Sequence, residues 1–388
     1  MNVEKKTPEI RFKGFDGEWK LFSLGELGSV ATNKRIFIHE TSLIGDVPFY
    51  KIGTFGREPK LFISQELFDD YKKRYPFPEK GDLLFSVIGS IGRVVEYTGE
   101  DEYFQDSNVV WLKHDGAIVN SFLKQFYSIV EWEGIEGSTI KHLYNRTILG
   151  TKIQTPSREE QTQIGNTFQK LDSLINQHQQ KHDKLSNIKK AMLEKMFPKQ
   201  GETTPEIRFK GFHGEWEKKA ICDLFTVTRG SVLATTKTSP TPSPDKCYPV
   251  YSSQTKNNGL MGFYHEYLFE SAITWTTDGA NAGTVNFREG KFYSTNVNGV
   301  LLSNEGYANN AIAEILNKEA WRHVSHVGNP KLMNNVMSAI KITIPNSVEE
   351  QTAIGNYFLK LDDLINQHQQ KITKLNNIKQ ACLKKMFV

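Results

Sequence analysis

At 388 residues the chain is about two and a half times the usual single-domain length, so it should hold two or more domains, each with its own core. Its 48 Lys and Arg against 44 Asp and Glu leave a formal charge of +4, too slight for a uniformly basic nucleic-acid coat. Apolar residues at 38% and aromatics at 11% exclude wholesale disorder. Cys222, Cys247 and Cys382 form no C-x-x-C pair, which leaves neither a disulfide framework nor a cysteine-rich zinc site. No apolar run approaches the roughly 18–20 residues that span a bilayer, and the opening MNVEKKTPEIRFKG lacks the apolar block of a secretory signal. A cytoplasmic protein with no membrane partner is expected.

A short head comes first. The segment from Thr7 to Trp19, TPEIRFKGFDGEW, returns from Thr204 to Trp216 with 12 of 13 positions identical. The middle that follows is rich in short β-like runs at Ser86 to Ile88, Arg93 to Tyr97 and Val109 to Leu112, with Gly, Asn and Asp as turn formers between them. One amphipathic helix is expected there, around Ser121 to Glu131 with Phe122, Phe126 and Val130 on its apolar side. A tail block then runs from Glu159 to Phe197 and returns from Glu349 to Phe387 with 29 of 39 positions identical. Between the repeated head and the second tail lies another middle. It has β-like runs at Ile273 to Thr277, Thr284 to Phe287, Val300 to Ser303 and Ile340 to Ile344, and one expected helix around Asn310 to Val324.

The chain is therefore a tandem duplication: heads 1–19 and 201–216, middles 20–156 and 217–344, tails 157–200 and 345–388. The middles show little alignment with each other. Matching ends with dissimilar middles predict a symmetric frame carrying two different payloads, paired about a pseudo-two-fold axis as in a homodimer.

Apolar residues in the tails alternate four and three apart, the heptad pattern of a coiled coil. The seam reads Ile164, Phe168, Leu171, Ile175, Leu185 and Met192 in the first tail, and Ile354, Phe358, Leu361, Ile365, Ile372 and Leu375 in the second. Ser157 with Glu160, and Ser347 with Glu350, predict capping boxes just after Pro156 and Pro345, and Pro198 with Gly201 should stop the first helix. Carboxylates gather at the start of each tail and lysines at its end, which suits antiparallel pairing. His178, His182 and His368 fall mid-seam. Since His182 is replaced by Ile372 in the second copy, a role in register is favoured over metal binding.

A search for catalytic patterns finds no G-x-x-x-x-G-K-[ST], G-x-S-x-G or H-E-x-x-H string. Asp245, Glu289 and Lys291 are the residues a metal-dependent nuclease would use, with carboxylates to hold Mg and a lysine beside an activated water. That reading stands as an alternative, as does a protein-interaction adaptor with no DNA role.

The whole chain resembles the specificity subunit of type I restriction-modification systems. The resemblance rests on the RFKGF-x-GEW heads, EEQT-x-IG at each helix start, LDxLINQHQQK along the rods and K-x-MF at their ends, and on GDLLFSVIGSIGRV (Gly81 to Val94) and AITWTTDGANAGTV (Ala272 to Val285) inside the middles. It implies an α+β fold: two target-recognition domains of mixed α/β structure joined by two long antiparallel coiled-coil helices. It further implies a non-catalytic DNA-binding subunit for host defence against foreign DNA, each domain reading half of an asymmetric bipartite site. Its partners would be double-stranded DNA, two methyltransferase subunits and, in the full complex, two restriction and translocase subunits. S-adenosylmethionine, ATP and Mg would belong to those partners, and no cofactor to this chain.

Base reading favours Arg or Lys at guanine and Asn or Gln at adenine, with cations and hydroxyls on phosphates. In the first middle the candidates are Lys34, Arg35, Arg57, Ser90, Arg93, Gln105 and Asn108, then Lys141, His142, Asn145 and Arg146. The second offers Ser253, Gln254, Lys256, Asn257, Asn258, Asp278, Asn281, Asn296 and Asn298, then Asn329, Lys331, Asn334 and Asn335. The first middle holds 16 basic and 18 acidic residues and the second 12 and 10, so neither reader is strongly basic. Tight DNA binding should then need the assembled complex.

Overall fold

Two helices, Arg158–Lys195 of 38 residues and Val348–Met386 of 39, carry the duplicated tails. At 1.5 Å per residue each runs close to 57 Å. The computed structural model describes residues 7–137, 141–253 and 256–387, apart from the side chain of Lys256. The chain divides into two units: Met1–His178 with Lys371–Val388, and Gln179–Gln370. Each unit thus holds one head, one middle, the first part of the long helix that follows that middle, and the last part of the other long helix.

Within each unit these two helix parts are bridged by the lysines and carboxylates that the charge pattern pointed to. Lys379 Nζ lies 2.6 Å from Asp172 in the first unit, and Lys189 Nζ lies 2.7 Å from Asp362 in the second. Glu314 adds a contact to Lys189 at 3.4 Å. Burial would lower the Lys189 pKa, but Glu314 and Asp362 together hold it above its ordinary value. Ile164, Phe168, Ile354, Phe358, Leu361 and Ile372 are buried, and Leu171, Ile175, Leu185, Met192, Ile365 and Leu375 are half-buried. Full burial of a Phe or Ile side chain contributes about 1.5–3 kcal/mol, so these rows rather than the ion pairs supply most of the stability. His182 bonds the neighbouring Asp183 at 3.0 Å, and no group of three or more His, Cys, Asp or Glu among the described residues is placed to hold a metal.

The helix starts depart from the expected capping boxes in one respect. The Ser157 and Ser347 hydroxyls do accept from the Glu160 and Glu350 N–H groups, at 3.3 and 3.1 Å. The two carboxylates, however, go to the heads. Arg11 grips Glu160 with Nε and Nη2 at 2.8 and 2.6 Å, and Arg208 grips Glu350 at 2.6 and 2.7 Å. A bidentate guanidinium satisfies a buried carboxylate better than a single backbone N–H does. Each head also meets a helix end: Ile10 N–H donates to the Lys385 carbonyl at 3.0 Å, and Ile207 N–H to the Lys195 carbonyl at 2.9 Å.

Every middle is pinched shut where it leaves the frame. Lys20–Ser23 pairs antiparallel with Lys152–Thr155, and Glu217–Ala220 with Lys341–Ile344, each over four residues. Beyond that clamp the first middle has a four-stranded antiparallel sheet in the order Ser29–Ala31, Val109–Lys113, Leu83–Ser86, Val94–Glu96. A three-stranded sheet stands beside it, in the order Leu61–Ile63, Val47–Tyr50, Tyr103–Phe104. The second middle has one six-stranded sheet: Thr226–Arg229, Asn298–Leu302, Phe269–Thr276, Val285–Ser294, Tyr248–Tyr251, Leu260–Tyr264.

The two arrangements are the same fold. The ten-residue strand Val285–Ser294 pairs with Phe269–Thr276 along its length and in parallel with Tyr248–Tyr251 at its end. In the first middle those two jobs fall to Val94–Glu96 and Tyr103–Phe104, with the turn 97–102 between them. Two sequences that show little alignment have therefore kept one topology, with one strand broken in two.

Several elements shift from expectation. The run at Ser86 to Ile88 is the strand Leu83–Ser86, because Gly89 and Gly92 take positive φ and turn the chain immediately afterwards. The first expected helix is Asn120–Ile129; the second is Asn310–Ala320 followed by a 3-10 turn at Trp321–His323. The first middle also holds a helix at Gln65–Arg74, capped by the Ser64 hydroxyl. Its charged sequence buries little beyond Phe68, so periodicity does not betray it. No helix among the described residues is long and apolar enough to cross a membrane.

Candidate nucleic-acid interface

Strand register brings the loops of each middle to one end of its sheet. In the first, Ala31 lies opposite Trp111, Ser86 opposite Val109, and Phe85 opposite Val94. Loops 32–40, 105–108 and 87–93 consequently leave the sheet at a shared edge. A returning strap ties them down. His142 makes β-bridges with both Ile88 and Glu136, Leu143 N–H donates to the Val87 carbonyl at 2.8 Å, and Val87 N–H donates to the Asn108 carbonyl at 3.0 Å.

The second middle repeats these bonds with other side chains. Lys331 bridges Asp278 and Ser325, Leu332 N–H donates to the Thr277 carbonyl at 2.8 Å, and Thr277 N–H donates to the Val297 carbonyl at 3.1 Å. His142 thus stands where the other unit has Lys331, and Asn145 and Arg146 where it has Asn334 and Asn335. Both straps run straight into a six-residue helix, Asn145–Gly150 and Asn334–Ala339.

Most of the sequence-derived candidates fall on this end. Lys34, Arg35, Arg57, Ser90, Lys141, Asn145 and Arg146 are exposed in the first unit, as are Asn257, Asn258, Asn281, Asn296, Asn329, Lys331 and Asn335 in the second. Asn108, His142, Ser253, Asp278 and Asn334 are half-buried. Asn257 and Asn258, at φ 51° and 52°, form the left-handed turn expected of an Asn-Asn-Gly string.

Other candidates are committed elsewhere. Asn298 is only 2% exposed at the start of its strand, so its amide is not offered to DNA. Gln105 accepts from Ile52 N–H at 3.0 Å, which occupies its carbonyl oxygen, and Arg93 donates to the Phe55 carbonyl at 2.9 Å. Gln254 and the Lys256 side chain lie outside the described residues. Arg288 counts toward the second middle's charge but is buried over the Tyr251 ring at 3.8 Å, and burial lowers its pKa to about 10.

Three of the exposed cations have acidic neighbours. Arg35 pairs with Asp106 at 2.8 Å, Arg146 with Glu136, and Lys331 with Asp278 at 3.8 Å. Such exposed pairs are worth roughly 1 kcal/mol or less, so a phosphate can displace the carboxylate at little cost. The candidate set omits Tyr144, which is 45% exposed and lies between the His142 ring at 5.9 Å and the Arg146 guanidinium at 5.7 Å. An aromatic interleaved with bases in the string KHLYNR is the signal that marks it.

The nuclease trio gains no support from this arrangement. Asp245 sits in the loop before Tyr248–Tyr251, while Glu289 and Lys291 lie on Val285–Ser294, with the Lys291 ammonium 4.7 Å over the Tyr267 ring.

The family model for the type I restriction modification DNA specificity domain matches the chain twice, over residues 16–187 and 213–377. The chain is similar to a putative type I restriction enzyme specificity subunit of Haemophilus influenzae, 47% identical over 158 residues, which are 40% of this chain. That alignment covers 41% of the relative, so the chain spans about two fifths of its length. It is 35% identical over 139 residues to the N-terminus of a putative type I specificity subunit of Mycoplasma pneumoniae, covering 35% of this chain and 71% of that one. The crystal structure of a type I restriction-modification S subunit from M. genitalium has the same fold, with a TM-score of 0.66 over 98% of this chain and 99% of that one, at 18% identity.

Proposed function

The chain belongs to the family of type I restriction-modification DNA specificity domains, and on that premise we propose that it chooses the DNA sequence on which a multi-subunit methyltransferase and endonuclease acts. Each middle reads one half of an asymmetric bipartite site, and the long helices space the two readers and dock two methyltransferase subunits. Two restriction subunits complete the assembly in the cytoplasm. S-adenosylmethionine, ATP and Mg serve the partners, and this chain makes and breaks no bonds itself.

The observation that carries this reading is the pair of loop ends. One backbone scaffold, tied by the same hydrogen bonds, presents unlike polar side chains in the two units. A shared frame with different contacts is what two different half-sites require. The near-neutral first middle supports a further part of it: phosphate neutralisation comes in large measure from the methyltransferase subunits, so the isolated chain binds DNA weakly at physiological salt.

Methylome mapping in cells that carry this chain and its methyltransferase gives the test. The expected motif is two unlike groups of a few base pairs around a spacer of any sequence. Lengthening that spacer by about five base pairs, half a helical turn, should abolish methylation because the second group then faces away. Methylation that tolerates the longer spacer would overturn the two-reader arrangement.

A further inference from the structure

Residues 34–40 of the first middle leave the sheet at the reading end and make a braced, outward-facing turn. Ile36 is buried in the core with Val47, Phe49 and Tyr103, while its neighbours Phe37 and Ile38 are 51% and 69% exposed. The turn is held from every side. Tyr103 Oη donates to the Lys34 carbonyl at 2.9 Å, Arg35 pairs with Asp106 at 2.8 Å, and Thr41 Oγ1 donates to the Ile38 carbonyl at 2.8 Å. Its one carboxylate faces inward: Glu40 accepts from Phe37 N–H at 2.7 Å and from Tyr71 Oη at 3.4 Å. What the turn shows to solvent is therefore Lys34, Arg35, Phe37, Ile38 and His39, cations around an apolar tip.

The second middle has the same turn without the tip. Thr238 N–H and Oγ1 both donate to the Thr235 carbonyl, at 3.0 and 2.7 Å, as Thr41 does to Ile38. Ser239 bridges Phe263 as Ser42 bridges Phe62. By this register Ala234 and Thr235 replace Phe37 and Ile38, and Lys237 replaces Glu40.

Resting on the DNA-reading role above, we propose that Phe37 and Ile38 are a wedge that enters the duplex between adjacent base pairs at the first half-site and bends it. Apolar side chains inserted at a base step unstack it, and the bent duplex then meets more protein surface. Charge fixes the occupant: Lys34 and Arg35 beside the tip draw phosphate, and the only acid in the turn is withdrawn. In the second unit the two tip positions hold Ala234 and Thr235, and its exposed apolar side chain, Val232, stands two residues earlier at the Arg35 position, so the distortion made by this tip belongs to the first half-site.

The test uses the full chain and duplexes that it selects from a randomised pool, with 2-aminopurine replacing adenine at successive positions. Wild-type chain should raise the fluorescence several-fold at one step of one half-site. The variant Phe37→Ala/Ile38→Thr copies the residues the second unit already accommodates, so folding is preserved. It should lose that signal and bind about tenfold to a hundredfold more weakly, the loss expected from one or two unburied apolar side chains. The control Leu43→Thr/Ile44→Thr, which removes apolar side chains that are 79% and 90% exposed further along the segment, should keep the signal. No unstacking by wild type, or equal unstacking by the wedge variant, would overturn the wedge while leaving sequence reading intact. So would a wedge variant that binds DNA normally but no longer retains its methyltransferase partner. Failure to enrich any sequence both by the wild-type chain at low salt and by the chain assembled with its methyltransferase subunits would overturn the DNA-reading role itself.

Discussion

Arg11 shows how much one repeated residue can settle. The RFKGF strings mark a repeated segment without saying what it touches; in the structure Arg11 and Arg208 close on Glu160 and Glu350, which are each 1% exposed. Removing one partner of such a buried pair leaves the other charged and unsolvated. Arg11→Ala should therefore destabilise the first unit by about 3–5 kcal/mol, and Arg208→Ala the second by a similar amount. Denaturant melts followed by Trp fluorescence check this, with a lowered midpoint expected for either variant. The pairing was half legible: Glu160 stood out as a capping residue, but 149 residues separate it from Arg11, and no local rule links them. The commitment of Gln105 to Ile52 was hidden for the same reason, since it depends on a neighbour brought in by the fold, whereas Tyr144 lies between His142 and Arg146 of its own string and was legible there.

At the scale of elements, the long helices were legible because heptad spacing and a Ser-x-x-Glu start are local signals; they run over Arg158–Lys195 and Val348–Met386, inside the tails expected at 157–200 and 345–388. The glycine in EEQT-x-IG has a purpose the repeat alone cannot reveal. A Cβ on Gly165 would stand 2.0 Å from Ser121 Oγ and 2.7 Å from its Cβ, so only glycine lets the long helix lie this close to Asn120–Ile129. On Gly355 the nearest atoms would be Ala311 N at 3.2 Å and Asn310 Cβ at 3.3 Å. Alanine gains about 1 kcal/mol of helix propensity over glycine, against an overpacking cost of roughly 1–3 kcal/mol. The clash wins at Gly165, and the two effects nearly cancel at Gly355. Thermal melts should show Gly165→Ala clearly destabilised and Gly355→Ala close to wild type, with Ser121→Gly in the same chain restoring part of the Gly165→Ala loss. The strands were harder to place, since short half-buried runs lack a period long enough to fix their ends.

At the scale of the whole molecule, the duplication makes each half of the chain an incomplete unit. The first head and module are finished by Leu383 and Met386 of the second long helix and by Phe387 just after it. In the second unit, Met196 and Phe197, which directly follow the first long helix, fill the corresponding places. A fragment of residues 1–200 carries the helix end but not a separate copy to receive, so two fragments should each supply the other's missing piece. Sedimentation should show a dimer, and sequence selection a palindrome built from the first half-site twice. A stable monomer would contradict this exchange.

The sequence by itself determined the duplication, the frame of long helices and the family, because these rest on repetition and on local periodicity, both written along the chain. It also showed that the two middles differ. Only the tertiary structure decided that they share one topology, since hydrogen bonding between backbones is indifferent to side-chain identity once the apolar face is kept. The structure likewise decided which polar residues reach the loop end and which, like Asn298, lie buried beneath it. Exposure is set by segments far apart in the chain, and no single stretch of residues contains it.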